Sequence, residues 1–209
     1  TFRGYTDNNP SYIQPVRSRT ESILAYGPLR TVVDIHDEDW QYNNQTLDLT
    51  LRYTLYGGHR DAEVSVKVSS DEPISSTFCT GLIKLDNCQT YSDHKGTAAV
   101  WGDNWPAGKK DTLGRKKEIL GMAVKIPQRN VVGEPENAEN MIYLLGEKAR
   151  ILTKELAFSY HIAFASDKEQ ESKIHSAEEW FNWVKQWNKQ EPLSVSLSTK
   201  ALEIVSKIE

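Results

Sequence analysis

Three consecutive residues, His59, Arg60 and Asp61, place a titratable imidazole, a permanent cation and a carboxylate side by side. An imidazole moves protons near neutral pH, which makes His59 a candidate general acid or base. A guanidinium holds a carboxylate through paired hydrogen bonds, so Arg60 is a candidate clamp for an acidic substrate. Asp61 completes the catalytic candidates. The same residues also suit a charged hairpin turn after Gly57-Gly58, where polar side chains collect in any case.

A second concentration runs through Trp101, Asp103 and Trp105 to Lys109, Lys110 and Asp111. Indole faces stack on the apolar faces of sugar rings, while Asp and Asn side chains bind hydroxyls in pairs. Trp101, Asp103, Trp105 and Lys109 are therefore candidate substrate-binding residues, and the lysines favour an anionic sugar. The competing reading is an aromatic plug over a sheet edge beside a solvated basic loop. His36, two residues from Asp34, joins the binding candidates. His94 and His161 stand alone. Asp37, Glu38 and Asp39 read as a solvated acidic turn rather than a cation site.

Alternation positions these groups. Leu47, Leu49, Leu51, Tyr53 and Leu55 share one strand face, opposite Asp48, Thr50, Arg52, Thr54 and Tyr56. Val64, Val66 and Val68 repeat the pattern. Two long strands therefore flank the Gly57–Asp61 turn, each with one buried face. Further strands are expected at 22–26, 29–36, 77–85, 97–102, 119–126, 141–145 and 156–165, with a short one at 194–197. Phe158, Tyr160, Ile162 and Phe164 share a face, which turns His161 the other way. Residues 1–21 read as an irregular lead-in and 198–209 as a charged tail. Ser176 and Glu179 form a capping box that opens a helix near 176–190, with Trp180, Trp183 and Trp187 on one stripe.

The bulk figures exclude several classes. A chain of 209 residues with net charge −4 presents no broad basic surface for nucleic acid. Mean hydropathy is −0.58, and no run of about 20 apolar residues spans a bilayer. Phosphate-binding glycine loops, G-x-S-x-G and HExxH are absent. No cofactor is legible, and Cys79 and Cys88 lack zinc-type spacing. Those two cysteines fit either a disulfide, in an oxidising compartment, or two free thiols. Thr1 in place of an initiator Met fits a processed or partial chain.

Several stretches together resemble a known family: Gly27-Pro28-Leu29-Arg30-Thr31, Leu55 to Asp61, Cys79-Thr80-Gly81-Leu82, Trp101-Gly102, and Ser176 with Glu179-Trp180. The chain is similar, from about Thr1 to Leu197, to the C-terminal part of the secreted bacterial domain-of-unknown-function family 4861. That resemblance implies a galactose-mutarotase-like β-supersandwich, a periplasmic or extracellular location and a polysaccharide partner. It implies no reaction that transfers residue by residue. The expected architecture is a mainly antiparallel β-sandwich, residues 22–197, with one C-terminal helix. The expected function is processing of an acidic or pectin-like plant or algal glycan, by lyase or hydrolase chemistry. The alternatives are a non-catalytic glycan-binding module, or a structural half whose site an N-terminal portion of the same protein completes.

Overall fold

The computed structural model describes residues 1–105, 117–146, 153–187, 195–197 and 204–206. In chain order the strands are β1 (Arg3–Thr6), β2 (Asn9–Ser11), β3 (Ser18–Ala25), β4 (Arg30–Tyr42), β5 (Gln45–Tyr56), β6 (Asp61–Ser69) and β7 (Phe78–Ile83). They continue with β8 (Asp86–Ser92), β9 (Thr97–Asn104), β10 (Glu118–Lys125), β11 (Val131–Gly133), β12 (Asn140–Leu145) and β13 (Glu155–Ser166). Helix α1 (Ala177–Trp187) follows, then β14 (Val195–Leu197) and β15 (Ile204–Ser206), which pair with each other.

An eight-stranded antiparallel sheet, ordered β3-β4-β5-β6-β13-β10-β9-β8, packs on a five-stranded sheet ordered β11-β12-β7-β1-β2. The main core lies between them. Leu47, Leu49, Val64 and Val68 are fully buried there with Trp40, Phe2 and Phe78. Asp48, Arg52 and Lys67 face outward, as strict alternation requires. Asn43 and Asn44, both at positive φ, make the two-residue turn between β4 and β5.

A second core sits on the outer face of the large sheet. Side chains there are small: Ala99, Ala123, Ala163 and Ala165, with Gly121. A Cβ on Gly121 would lie 2.8 Å from the Trp101 ring and 3.0 Å from Trp180. This shallow floor admits α1, whose Trp180, Trp183 and Trp187 stack in sequence with centroids 5.2 and 5.3 Å apart. The capping box opens the helix: the Glu179 N–H donates to Ser176 Oγ at 3.3 Å, and the His175 N–H donates to the Glu179 carboxylate at 2.9 Å. That backbone hydrogen bond and the Ser176 hydroxyl hold Glu179 below the usual carboxylate range.

Three expectations are corrected. Residues 1–21 are not irregular, because they supply β1, β2 and the first half of β3. Their polar, proline-bearing sequence hides the strands: β1 and β2 pair with each other, and only β7, far along the chain, ties them to a sheet. The strand at 29–36 does not stop at the acidic triplet. It runs to Tyr42 across a bulge between Asp37 and Trp40, with Asp39 at φ 52°. Asp37 is fully buried and accepts a 2.5 Å hydrogen bond from Arg19, so it is not a solvated turn residue. An unforeseen strand, β8, forms the outer edge beside β9. Of the two states open to Cys79 and Cys88, the structure has free thiols. Burial pushes the Cys79 thiol up to about 12.

Candidate functional site

The turn that carries His59 needs glycine twice. A Cβ on Gly57 would meet the Pro28 carbonyl oxygen at 2.3 Å, and Gly58 sits at φ 78°. The Gly57 N–H donates to the Leu29 carbonyl at 2.9 Å, which ties this turn to the β3–β4 connection. His59 Nδ1 then lies 3.2 Å from Asp61 Oδ1. An ionised carboxylate only accepts, so Nδ1 carries the hydrogen and Nε2 is left as the basic nitrogen. The other Asp61 oxygen accepts from Trp187 Nε1 at 3.3 Å. His59 is 58% exposed and Asp61 only 18%, so the orienting group is sheltered and the imidazole is presented.

Beside this pair runs a row that only sheet register reveals. Thr54, Glu63, His161 and Lys125 stand opposite one another on β5, β6, β13 and β10. Glu63 accepts from Ser159 Oγ at 2.9 Å. The His161 ring meets the Trp187 ring edge-on, with centroids 6.4 Å apart. Lys125 Nζ donates to the Trp187 carbonyl at 3.0 Å. Trp187, itself buried, is thus the common neighbour of Asp61, His161 and Lys125. The helix end organises both imidazoles on one face.

Burial lowers the His161 pKa, against the opposing pull of Asp61 and Glu63. Its unfolded-state value is about 6.5. The unfolded chain therefore binds more protons between the folded value and about 6.5, and stability rises with pH across that window. The contribution is complete above about 6.5 and is lost as the pH falls toward the folded value. His161→Gln is expected to flatten the pH dependence of the urea midpoint in this window. An unchanged slope would show that His161 does not couple to folding.

The remaining candidates divide. Arg60 is spent within the chain: it donates to Glu169 at 3.0 and 3.2 Å, to the Phe164 carbonyl at 3.1 Å and to Ser172 Oγ at 3.2 Å. It also lies over Trp183, 5.7 Å from the ring centroid. It fastens the β13–α1 connection to the turn rather than pointing at solvent. Trp101 is 7% exposed beneath α1 and offers no free ring face. Trp105 is half-buried, with Lys117 Nζ 6.0 Å from its ring centroid. That ammonium bridges Asp86 at 2.7 Å and Asp103 at 3.4 Å. Lys109, with Lys110 and Asp111, lies outside the described residues. His36 Nδ1 lies 3.0 Å from Thr50 Oγ1, next to an Asp34–Arg52 pair bonded at 2.7 and 2.8 Å. It shares the outer face with Glu63 and Arg52.

Register also settles relative position. Asp61, Ala163, Ala123 and Ala99 form one cross-strand row, so the His59 turn and the end of β9 lie at the same end of the large sheet. Three strand spacings, roughly 14 Å across the sheet, separate β6 from β9, and the end of β9 lies a further five residues along from that row. Helix α1 packs on the intervening strands. Glu63, Lys125 and Trp187 were not singled out from sequence as site residues. Alternation places Glu63 on the polar face of its strand, but nothing local announces its neighbours. Among the described residues no group of three or more His, Cys, Asp or Glu is placed to hold a metal ion. No helix among them is long and apolar enough to cross a membrane.

Fold and site define an antiparallel β-sandwich domain whose larger sheet carries a polar histidine–carboxylate face backed by a tryptophan helix. The chain belongs to the DUF4861 family, a domain of unknown function, whose family model matches residues 1–195. No curated protein matches it. Among solved structures it is similar to a GH36 alpha-galactosidase from Geobacillus stearothermophilus in complex with stachyose. The identity is 8% and the TM-score 0.33, over 78% of this chain and 30% of that one. The chain thus spans less than a third of that enzyme's length, and a likeness this distant assigns no residue a role.

Proposed function

We propose that this chain is an extracytoplasmic carbohydrate-processing protein that receives a glycan on the outer face of its eight-stranded sheet. The observation that carries the reading is the exposed His59 imidazole, held at Nδ1 by a carboxylate that an indole N–H holds in turn. Such a chain fixes both tautomer and orientation of a base. Around it, Arg52, Thr54, Glu63 and Ser65 present alternating donors and acceptors of the kind vicinal hydroxyls require. The substrate class proposed is an acidic, pectin-like plant or algal polysaccharide. Arg60 is taken by Glu169, and Lys67 is paired with Glu155 at 3.1 Å. Lys67 also lies six residues along β6 from Asp61, about 20 Å away, so it would meet a carboxylate on another residue of the polymer than the one beside His59.

Elimination suits this arrangement better than hydrolysis. It needs one base: His59 Nε2 would take the proton on the carbon next to the sugar carboxyl, a C=C bond would form as the C–O bond to the glycosidic oxygen breaks, and that oxygen would leave as a hydroxyl protonated by water. Hydrolysis through paired carboxylates would draw on Asp61, which is already engaged by His59 and Trp187. A second reading, a non-catalytic binding module, is favoured by Trp105 with its rim of Asp103, Asn87 and Lys117.

A screen of acidic and neutral glycans, read for products and for binding, tests both. Unsaturated chain ends support elimination, and saturated reducing ends support hydrolysis. Binding without product leaves the module. Neither binding nor product on any acidic or neutral glycan overturns the proposal.

A further inference from the structure

The eight-stranded sheet is wider than the sheet that covers it, and the mismatch leaves part of its inner face bare. Ile23, Val33 and Tyr53 form one cross-strand row that continues into the buried Val64. Leu55, Ala62 and Ile162 form the next row, and Phe164 stands beyond it on β13. Ile23 is 69% exposed, Leu55 46% and Phe164 53%, while Val33, Tyr53 and Ile162 are half-buried. All of these residues point to the same side as the main core, and none is charged. A row that passes from solvent directly into a sandwich core is interior-type surface, unlike the scattered exposed apolar residues of an ordinary protein surface.

We propose that this strip is the interface of a homodimer in which the bare inner faces of two copies pack against each other. The strip is continuous with the existing sheet-to-sheet interface, so a second sheet laid on it extends a packing the fold already uses. Its centre is uncharged, with Glu21, opposite Ile35 on the same face, at its β3 rim; an uncharged centre meets its own copy without like-charge repulsion, as a two-fold contact requires. Its exposed area is on the order of 500 Å² per copy, so two copies bury about 1,000 Å² before the neighbouring turn residues Tyr26 and Leu29 are counted, near the lower bound for a specific interface. The five-stranded sheet rises about 10 Å above the strip. In a two-fold arrangement the two such shoulders fall on opposite sides of the contact. A glycan is a poor occupant, since the strip offers few partners for hydroxyls.

Sedimentation velocity over a dilution series of the 209-residue chain tests this. The expected result is a species of twice 23.8 kDa that dissociates on dilution. Ile23→Glu and Phe164→Glu, changed separately, are each expected to give monomers with an unaltered circular dichroism spectrum, because both side chains are exposed in the single copy. Leu24→Glu is the control: Leu24 follows Ile23 on the same strand and is 54% exposed, but with Ala25 it forms the bulge opposite Val32, the residue that faces away from Val33 and Ile23. It is expected to stay dimeric. A monomer at every concentration overturns the proposal and passes the strip to a different protein domain. Equal disruption by Leu24→Glu also overturns it, placing the contact at the β3 edge instead.

Discussion

Replacing His59 with alanine is expected to lower turnover of a processed glycan by about 10²–10⁴-fold while leaving the fold unchanged, if the imidazole moves the proton. The fold is safe because His59 is exposed and, among the described residues, its side chain bonds Asp61 alone. Asp61→Asn separates orientation from chemistry. The amide keeps a similar size, but its NH₂ can turn toward Nδ1 and select the other tautomer, leaving Nε2 protonated. Activity should therefore fall for Asp61→Asn with glycan affinity nearly constant. The measurement is steady-state kinetics across pH, beside a binding isotherm for each variant. Wild-type turnover in His59→Ala would remove the imidazole from the reaction and shift attention to His161 across the same face.

Trp180→Ala is expected to destabilise the chain by about 3–5 kcal/mol, the range for emptying a buried aromatic site. For a chain of this size that corresponds to a fall in Tm of roughly 6–20 °C. Trp180 is fully buried, stacks on Trp183 and lies directly above Gly121. The floor beneath it is made of alanines and glycine, which have no long side chains with which to close the cavity. Among the described residues its indole N–H has no hydrogen-bond partner. Trp180→Phe should therefore cost much less than Trp180→Ala, since it keeps a ring and removes an unsatisfied donor. Urea denaturation of both variants checks this. Equal losses for Phe and Ala would mean that the indole's full volume, not merely a ring, holds the helix down.

A loosened helix would also reach the site. Trp187 belongs to the same indole stack and contacts Asp61, His161 and Lys125. Trp180→Ala is thus expected to disturb His59 chemistry in proportion to how far Trp187 moves.

Alternation and helical spacing were enough to place β5, β6, β9, β10, β12, β13 and α1, because each of these elements buries one face against a core. The period of the buried residues then writes the element into the sequence. Where that period is absent, the sequence was silent. Strand β8 is an edge with few buried positions; β1 and β2 are short and polar, β2 pairs only with β1, and β1 is joined to the sheet by β7, far along the chain. The end of β4 was misread because Asp37 looks like turn chemistry, yet Arg19 from the neighbouring strand lets it be buried.

The same boundary runs through the site. His59 and Asp61 were legible because they lie two residues apart after a glycine pair, so their proximity is a local property of the chain. The sequence by itself also determined which face of β13 carries His161. It did not determine that Glu63, His161 and Lys125 stand in one row, since cross-strand register is set by side-chain packing between segments that can be almost a hundred residues apart. It did not determine that Arg60 turns inward to Glu169 or that Trp101 is roofed by α1. Those outcomes depend on where the helix docks, and the helix docks where alanines and Gly121 leave room for three indoles. Local spacing decides which groups each strand presents. Only the packed tertiary structure decides which of them meet, because that depends on the shapes of surfaces brought together from distant parts of the chain.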